Sequence, residues 1–124
     1  MPEIRVLIVD DEEDMRALVR ATIELAGPDV AVDEAVSGAD AIARLEADRP
    51  EVVVLDHRMP GFSGLETAKR ILAEHPTQHV VLFTAFPDRR LITEAEATGV
   101  RACLSKNDLR RLPGLIGKLA AAGH

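Results

Sequence analysis

Residues 52–64 read Val-Val-Val-Leu-Asp-His-Arg-Met-Pro-Gly-Phe-Ser-Gly, and this stretch decides the fold. Its first four residues are all apolar, which is typical of a central strand that is covered on both faces of a sheet. Pro60-Gly61 then has the residue order of a type II turn, and Ser63 is a good N-cap for a helix. The stretch therefore predicts a buried strand, a tight turn and a helix.

The same alternation of an apolar strand and a helical segment recurs along the chain. Strands are predicted at Ile4–Val9, Val30–Val36, Val52–Leu55, Val80–Phe83 and Val100–Leu104. The second strand contains Asp33 and Glu34, so we place it at a sheet edge. Strands that alternate with helices predict an α/β fold, in which helices cover both faces of a doubly wound parallel sheet.

Five helices are predicted from apolar residues at three- and four-residue spacing. The first helix is predicted from the spacing of six residues, before Gly27-Pro28 ends it: Met15, Leu18, Val19, Thr22, Leu25 and Ala26. The last helix is expected to begin at Pro113, because proline suits the first helical turn.

The composition of the chain excludes several classes of function. The chain has 124 residues, enough for one domain, and a net charge of −6, which argues against a direct nucleic-acid partner because that binding depends on Lys and Arg. No apolar run approaches the roughly 20 residues that span a bilayer. A single cysteine excludes an internal disulfide and fits a reducing compartment. We expect a cytoplasmic domain that does not contact membranes.

Polar side chains stand at the ends of four predicted strands. They are Asp10, Asp11, Asp56, Thr84 and Lys106. The carboxyl ends of parallel strands meet at one edge of the sheet, where α/β proteins bind their ligands. Carboxylates at this edge can hold Mg²⁺, and a carboxylate can itself accept a phosphoryl group.

Asp56 is the best candidate for that nucleophile because it ends the central strand. Thr84 and Lys106 would then contact phosphoryl oxygens, sharing the charge that phosphoryl transfer places on them. Taken singly, each residue is also typical of a helix cap, a strand residue or a solvated charge. The pattern becomes specific only when all five residues occur together at successive strand ends.

These residues resemble the receiver domain of bacterial two-component response regulators, over essentially the whole chain. Ile8-Val9-Asp10-Asp11 is similar to the acidic pair of that family, and residues 54–64 are similar to its phosphoacceptor strand and loop. Phe83-Thr84-Ala85 and Lys106 resemble its threonine strand and its lysine. The resemblance implies a flavodoxin-like sheet of five strands in the order 2-1-3-4-5, with five helices.

The resemblance also implies a site and partners. Mg²⁺ would bind Asp11, Asp56 and the backbone carbonyl of Arg58, with Asp10 acting through water. Asp56 would accept a phosphoryl group from a sensor histidine kinase or a histidine phosphotransfer protein. Such a domain catalyses only its own phosphorylation and slow dephosphorylation. Residues 1–124 are then expected to form one receiver domain without an output domain, which acts on a downstream protein or on a fused output domain.

Two positions depart from the family pattern. Cys103 stands where the family commonly has Tyr or Phe, so an aromatic switch in the last strand is absent. Asn107 follows the lysine where proline, with a cis peptide bond, is usual. We expect Cys103 to fill space. If the bond after Lys106 is trans, the placement of Lys106 depends on other contacts, such as capping by Asn107 or Asp108.

Three other functions compete with a phosphorylated receiver. A phosphorylation-independent interaction domain, which has kept the fold and lost the switch, is the main alternative. A phosphatase of the haloacid dehalogenase type ranks low because Asp56-His57-Arg58 lacks the second aspartate of that motif. A flavodoxin also ranks low, since the acidic run at residues 10–14 would repel a phosphate. We expect His57 to be structural, because strand alternation points it away from Asp56.

Overall fold

The strands and helices alternate along the chain in a computed structural model that describes residues 3–27 and 29–122. The strands are β1 (Ile4–Val9), β2 (Val30–Ala35), β3 (Val52–Leu55), β4 (His79–Thr84) and β5 (Ala102–Ser105). The helices are α1 (Glu13–Ala26), α2 (Gly38–Ala47), α3 (Gly64–Glu74), α4 (Arg89–Thr98) and α5 (Leu112–Ala122), and a 3₁₀ segment at Lys106–Arg111 precedes α5. Pro28, which was expected to help end the first helix, lies outside the described residues.

The sheet has the order β2-β1-β3-β4-β5, and every neighbouring pair is parallel. The predicted α/β class and the strand order 2-1-3-4-5 are therefore confirmed. The second strand lies at the edge, as its two acidic residues indicate. Parallel pairing brings the carboxyl ends of all five strands to the same side of the molecule.

Two apolar layers enclose the sheet, and β3 contributes to both. Val53 and Leu55 pack into the layer formed with α2, α3 and α4. Val52 and Val54 pack into the opposite layer with α1 and α5. Because successive side chains of a strand point to opposite faces, a strand buried on both sides must be apolar throughout. This explains why the four-residue run of β3 decides the fold.

The apolar spacing that predicts α1 matches its buried face only in part. Val19 and Ile23 are the fully buried residues of this helix, whereas Leu18 is 50% exposed and Leu25 is 88% exposed. Apolar residues occur on both sides of α1, so their spacing alone did not identify the side that faces the sheet. Leu18 and Leu25 instead form part of its outer surface.

The boundaries of four other elements also moved by one or two residues, and β2 ends at Ala35 rather than at Val36. β4 extends from His79 to Thr84, and β5 begins at Ala102 rather than at Val100. The last helix begins at Leu112, so Pro113 lies in its first turn as predicted. Thr84 is consequently the last residue of its strand, and Lys106 directly follows the end of β5.

Candidate functional site

Four strand ends deliver the predicted polar residues to the carboxyl edge of the sheet. Asp10 directly follows β1 and Asp56 directly follows β3, and both side chains are buried. Thr84 is buried at the end of β4. Asp11, beside Asp10, is exposed, so the acidic group is open to solvent at this residue.

The three aspartates form a compact cluster. One carboxylate oxygen from each of Asp10, Asp11 and Asp56 lies within 4.8 Å of the other two. Backbone hydrogen bonds at the end of the sheet hold two of these residues, since the amide of Asp10 donates to Ala35 (3.2 Å) and that of Asp56 donates to Val9 (2.9 Å). The cluster is therefore built on strands that the core fixes.

Lys106 approaches this cluster from the end of β5. Its ammonium nitrogen Nζ lies 3.1 Å from Oδ1 of Asp56 and 3.4 Å from Oδ2 of Asp10. One ammonium group balances only one of three carboxylates. When all of these groups are ionised, the cluster keeps a net charge of about −2, which matches a divalent cation.

Burial and the neighbouring charges change how the site titrates. Burial, together with the negative charge of Asp10, raises the pKa of Asp56 above the usual range despite the opposing contribution of Lys106. Burial acts to lower the pKa of Lys106, but its hydrogen bond to Asp56 and the charges of Asp56 and Asp10 outweigh that effect and raise it. Lys106 therefore stays protonated. A further positive charge beside Asp56 would favour the ionised form of its carboxyl group.

The loop after Asp56 is fixed by hydrogen bonds to the start of α3. The amide of Gly64 donates to the carbonyl of His57 (2.8 Å), and the amide of Leu65 donates to Nδ1 of His57 (3.3 Å). Ser63 caps the helix in a reciprocal capping box with Glu66. His57 accordingly has the structural role expected for it.

Glycines permit this loop to close tightly. Gly61 has a φ of 76°, the left-handed conformation that the third position of a type II turn requires. A Cβ atom on Gly64 would lie 2.3 Å from the carbonyl oxygen of Asp56 and 2.7 Å from Cα of His57. Only glycine allows α3 to begin this close to the residue at the end of β3.

Arg58 and Phe86 lie beside each other on the exposed side of the loops that follow β3 and β4. The guanidinium carbon of Arg58 is 5.9 Å from the centroid of the Phe86 ring, within the range of a cation–π contact. Phe86 is 69% exposed, although it is a large apolar residue. The pair lies two residues beyond Asp56 and two beyond Thr84 along the chain.

The last strand differs from the rest of the site. Cys103 is partly buried, and burial together with the negative charge of Asp88 raises the pKa of its thiol. The described residues contain no cis peptide bond, so Lys106 and Asn107 are joined in trans. The cap of this turn is Ser105 rather than Asn107 or Asp108, the examples named from the sequence, because Oγ of Ser105 accepts the hydrogen bond from the Asn107 amide (3.1 Å).

One residue near the acidic cluster was missed from the sequence. Arg16, in the first turns of α1, donates a hydrogen bond from Nη1 to the backbone carbonyl of Asp10 (2.8 Å). Helical periodicity assigns Arg16 only to a partly exposed face. No local pattern in the sequence indicates this contact. The carboxylate that accepts from Arg16 belongs to Glu34 on β2, and it reaches Arg16 only because β2 pairs with β1.

The chain belongs to the response regulator receiver domain family, whose model matches residues 6–116. The family is a group of phosphoaccepting signalling domains from two-component systems. Among relatives, the chemotaxis protein CheY of Thermotoga maritima is 31% identical over 102 residues, which cover 82% of this chain and 84% of that protein. The DNA-binding transcriptional activator DevR/DosR of Mycobacterium tuberculosis is 33% identical, over 84% of this chain and 48% of the relative.

Solved structures agree with this assignment. The receiver domain of the response regulator NarL from Mycobacterium tuberculosis superposes with a TM-score of 0.90 at 27% identity, and the match covers 100% of both chains. Several relatives are much longer than this chain. The match covers 22% of the C4-dicarboxylate transport regulator DctD of Rhizobium meliloti and 32% of a protein-glutamate methylesterase of Trichodesmium erythraeum. Among the described helices, none is both long and apolar enough to cross a bilayer.

Proposed function

We propose that this protein is a phosphorylation-controlled signalling receiver in which Asp56 accepts a phosphoryl group in a Mg²⁺-dependent reaction. One observation carries the proposal. Asp56 is buried at the end of the central strand, within reach of two further carboxylates and 3.1 Å from the ammonium of Lys106. A nucleophile, a set of cation ligands and a fixed positive charge therefore share one small volume.

The residues of the cluster fit Mg²⁺. Their donors are oxygen atoms, which Mg²⁺ prefers, and their excess charge of about −2 suits a dication. Asp11 and Asp56 would bind the ion directly, together with the backbone carbonyl of Arg58, and Asp10 would act through a water molecule. The ion supplies charge neutralisation for the nucleophile and for the phosphoryl oxygens when it is bound.

In the proposed transfer, a carboxylate oxygen of Asp56 attacks the phosphorus of a phosphohistidine. An O–P bond forms, the P–N bond breaks, and the electron pair stays on the imidazole nitrogen. Lys106 exchanges its contact with Asp56 for one with a phosphoryl oxygen, and the hydroxyl of Thr84 donates to another. These two side chains bear the charge that develops on the oxygens in the transition state.

The acyl phosphate is then lost by hydrolysis. Arg58 and Phe86 contact each other beside the site, and we propose that they cover part of the acyl phosphate and slow the attack of water. The domain would catalyse no reaction other than its own phosphorylation and dephosphorylation.

The proposed donor is a sensor histidine kinase or a histidine phosphotransfer protein in the cytoplasm. The receiver, residues 1–124, would signal either to a separate protein or to an output domain fused to it. The second possibility is supported by two longer relatives, a transcriptional regulatory protein and a DNA-binding transcriptional activator, of which the match covers only 22% and 48%. With a net charge of −6, the domain is not expected to bind nucleic acid directly, nor do we expect it to bind membranes.

A second candidate is a phosphorylation-independent interaction domain. Two features favour it, namely Cys103 in place of an aromatic residue and Asn107 in place of proline after Lys106. Under this alternative the fold would present a binding surface whose partner affinity does not respond to the state of Asp56.

Intact mass spectrometry after incubation with acetyl phosphate and Mg²⁺ tests the proposal. We expect one phosphoryl adduct on the wild-type protein, and none on Asp56→Asn or in the presence of a metal chelator. Absence of the adduct from folded wild-type protein would favour the interaction domain. Partner affinity measured with and without beryllofluoride, an analogue of the phosphoryl group, separates the two candidates further.

A further inference from the structure

The guanidinium group of Arg16 joins the acidic loop to the edge strand of the sheet. Nη1 donates to the backbone carbonyl of Asp10 (2.8 Å), and Nε donates to Oε1 of Glu34 (2.8 Å). The side chain of Arg16 is only 12% exposed. A charged group this well covered by two hydrogen-bonded partners is held in one orientation.

The carbonyl of Asp10 matters because of the residue that follows it. The carbonyl of Asp10 and the amide of Asp11 belong to one planar peptide unit. A hydrogen bond that fixes this carbonyl therefore fixes the orientation of the backbone from which the Asp11 side chain extends. Asp11 is the exposed member of the acidic cluster, and its neighbours pack around it less than they do around Asp10 or Asp56.

Asp10 is also held by Ala35 and Lys106, but few side-chain contacts hold the exposed residues that follow it. Residues 10–14 are five consecutive acidic residues, whose like charges repel one another. The N-cap of α1, Glu12, makes no side-chain capping hydrogen bond. Its amide instead donates to Oδ1 of Asp10 (2.9 Å). Among the described residues, Arg16 provides the one guanidinium group that hydrogen-bonds to this acidic run.

Glu34 keeps Arg16 in place. It lies on β2 opposite Ile8 of β1, and its carboxylate also accepts a hydrogen bond from Nε of Arg20 (2.8 Å). The hydrogen bonds from Arg20 and Arg16 lower the pKa of Glu34 despite its partial burial. Glu34 is therefore ionised at neutral pH and presents a fixed negative charge to both arginines.

We propose that Arg16, oriented by Glu34, is a positioning residue that sets the Asp10–Asp11 peptide for binding of a divalent cation. The inference rests on the proposed function, since it assigns a support to the same cation site. Arg16 would not touch the ion or the phosphoryl group. It acts through the backbone that carries Asp11, as an outer hydrogen-bond partner does in other metal sites.

Electrostatics alone predicts the opposite change in Mg²⁺ affinity when the charge of Arg16 is removed, so the sign of that change tests the inference. Removing a positive charge close to three carboxylates strengthens their attraction for a cation. Loss of a positioning hydrogen bond weakens cation binding, because Asp11 must then be ordered when the ion binds. The sign of the change in affinity therefore distinguishes the two effects.

The experiment is isothermal titration calorimetry with Mg²⁺, since the chain has no Trp or Tyr to report binding by fluorescence. We expect Arg16→Gln to weaken Mg²⁺ binding by about tenfold. Arg20→Gln removes the same charge from the same helix and the same Glu34 carboxylate, but leaves the Asp10 carbonyl bonded. We expect its affinity to be unchanged or slightly tighter.

Two further measurements separate positioning from a general loss of structure. Arg16→Lys keeps the charge but cannot place donors on both partners, so we expect an affinity between those of the wild type and Arg16→Gln. Exchange of the Glu12 amide proton should accelerate in Arg16→Gln but not in Arg20→Gln. Equal affinities for Arg16→Gln and the wild type, or equal weakening in both glutamine variants, would overturn the inference. Failure of the wild type itself to bind Mg²⁺ would instead contradict the proposed function.

Discussion

The two sides of the carboxyl edge of the sheet differ in how completely they carry the residues expected of a receiver domain. On the side of β1 and β3, Asp10, Asp11 and Asp56 form a compact cluster supported by strand hydrogen bonds. On the side of β5, Lys106 reaches the cluster, but Cys103 occupies the position that commonly carries an aromatic residue. The residues proposed for phosphoryl transfer therefore all lie at this edge, whereas the aromatic residue that the family resemblance led us to expect is absent from β5.

If the proposed function holds, phosphoryl transfer does not require an aromatic residue in β5. The ammonium of Lys106 lies 3.1 Å from Asp56 although it is followed by Asn107 in a trans peptide. Its position is supported by the Ser105–Asn107 hydrogen bond rather than by a proline. Lys106 is thus placed beside Asp56 by β5, while Cys103 on the same strand provides no aromatic side chain.

The largest effect on the chemistry is expected from Lys106→Met. Removing the ammonium eliminates one donor to the transferred phosphoryl group, so the rate of phosphorylation by acetyl phosphate should fall about 100-fold. Mg²⁺ affinity should not weaken, because the variant loses a cation from beside three carboxylates. Quantitative intact mass spectrometry over time measures the rate, and Lys118→Met, an exposed lysine of α5, is the control. A rate similar to that of the wild type would mean that Lys106 is only a structural counterion.

The next effect is expected from Gly64→Ala, which tests how tightly the β3 side is built. The added Cβ would meet the carbonyl oxygen of Asp56 at 2.3 Å, so the loop must shift, at a cost of about 1–3 kcal/mol in the free energy of unfolding. Phosphorylation should slow as Asp56 is displaced. Urea denaturation measures the stability.

Gly117→Ala on α5 is the matched control for that substitution. Nothing lies within 4 Å of its added Cβ, so the helix should gain about 0.5–1 kcal/mol. If both variants are stabilised, the close approach of α3 to Asp56 is not a constraint on the fold.

A smaller effect concerns the β5 side. Because burial raises the pKa of the Cys103 thiol, less thiolate is present at pH 8 than in a free thiol. Alkylation by iodoacetamide should be about 10-fold slower than that of glutathione, since the thiolate is the reacting form. Protein unfolded in urea provides the control and should react at the rate of glutathione. Fast alkylation of the folded protein would identify Cys103 as an accessible, activated thiol and contradict its space-filling role.

The smallest effect is expected at the exposed Arg58–Phe86 pair. Phe86→Ala uncovers part of the acyl phosphate, so dephosphorylation should accelerate by about threefold as water gains access. Arg58→Ala should act in the same direction. Leu25→Ala, which also removes an exposed apolar side chain but lies on α1, should leave the half-life unchanged. An unaltered half-life in both Arg58→Ala and Phe86→Ala would show that the pair only packs over the loop.

The strand ends could be predicted from the sequence because their pattern is local. An apolar run that stops at Asp56 indicates both the end of β3 and a residue at the ligand-binding edge. The buried face of α1 was harder to predict, since Leu18 and Leu25 continue an apolar pattern that the sheet does not use. Periodicity cannot choose between two apolar faces of one helix.

The contacts of Arg16 lay beyond any local pattern. Its hydrogen bond to the Asp10 carbonyl depends on how the acidic loop turns into α1, and its bond to Glu34 depends on the register of β1 with β2. The cap at Ser105 was missed for a similar reason, because several polar residues near Lys106 could have capped that turn. Sequence patterns identified the candidate site residues, whereas the contacts that hold them in place required the three-dimensional structure.

The most direct test of the central claim is to locate the phosphoryl group. Borohydride reduces an acyl phosphate of aspartate to homoserine, with release of phosphate, and peptide mass mapping then identifies the position. After reaction with acetyl phosphate and Mg²⁺, we expect homoserine at position 56 alone, and none when the metal is chelated. Homoserine at position 10 or 11, or unmodified peptides throughout, would contradict the assignment of Asp56 as the phosphoacceptor.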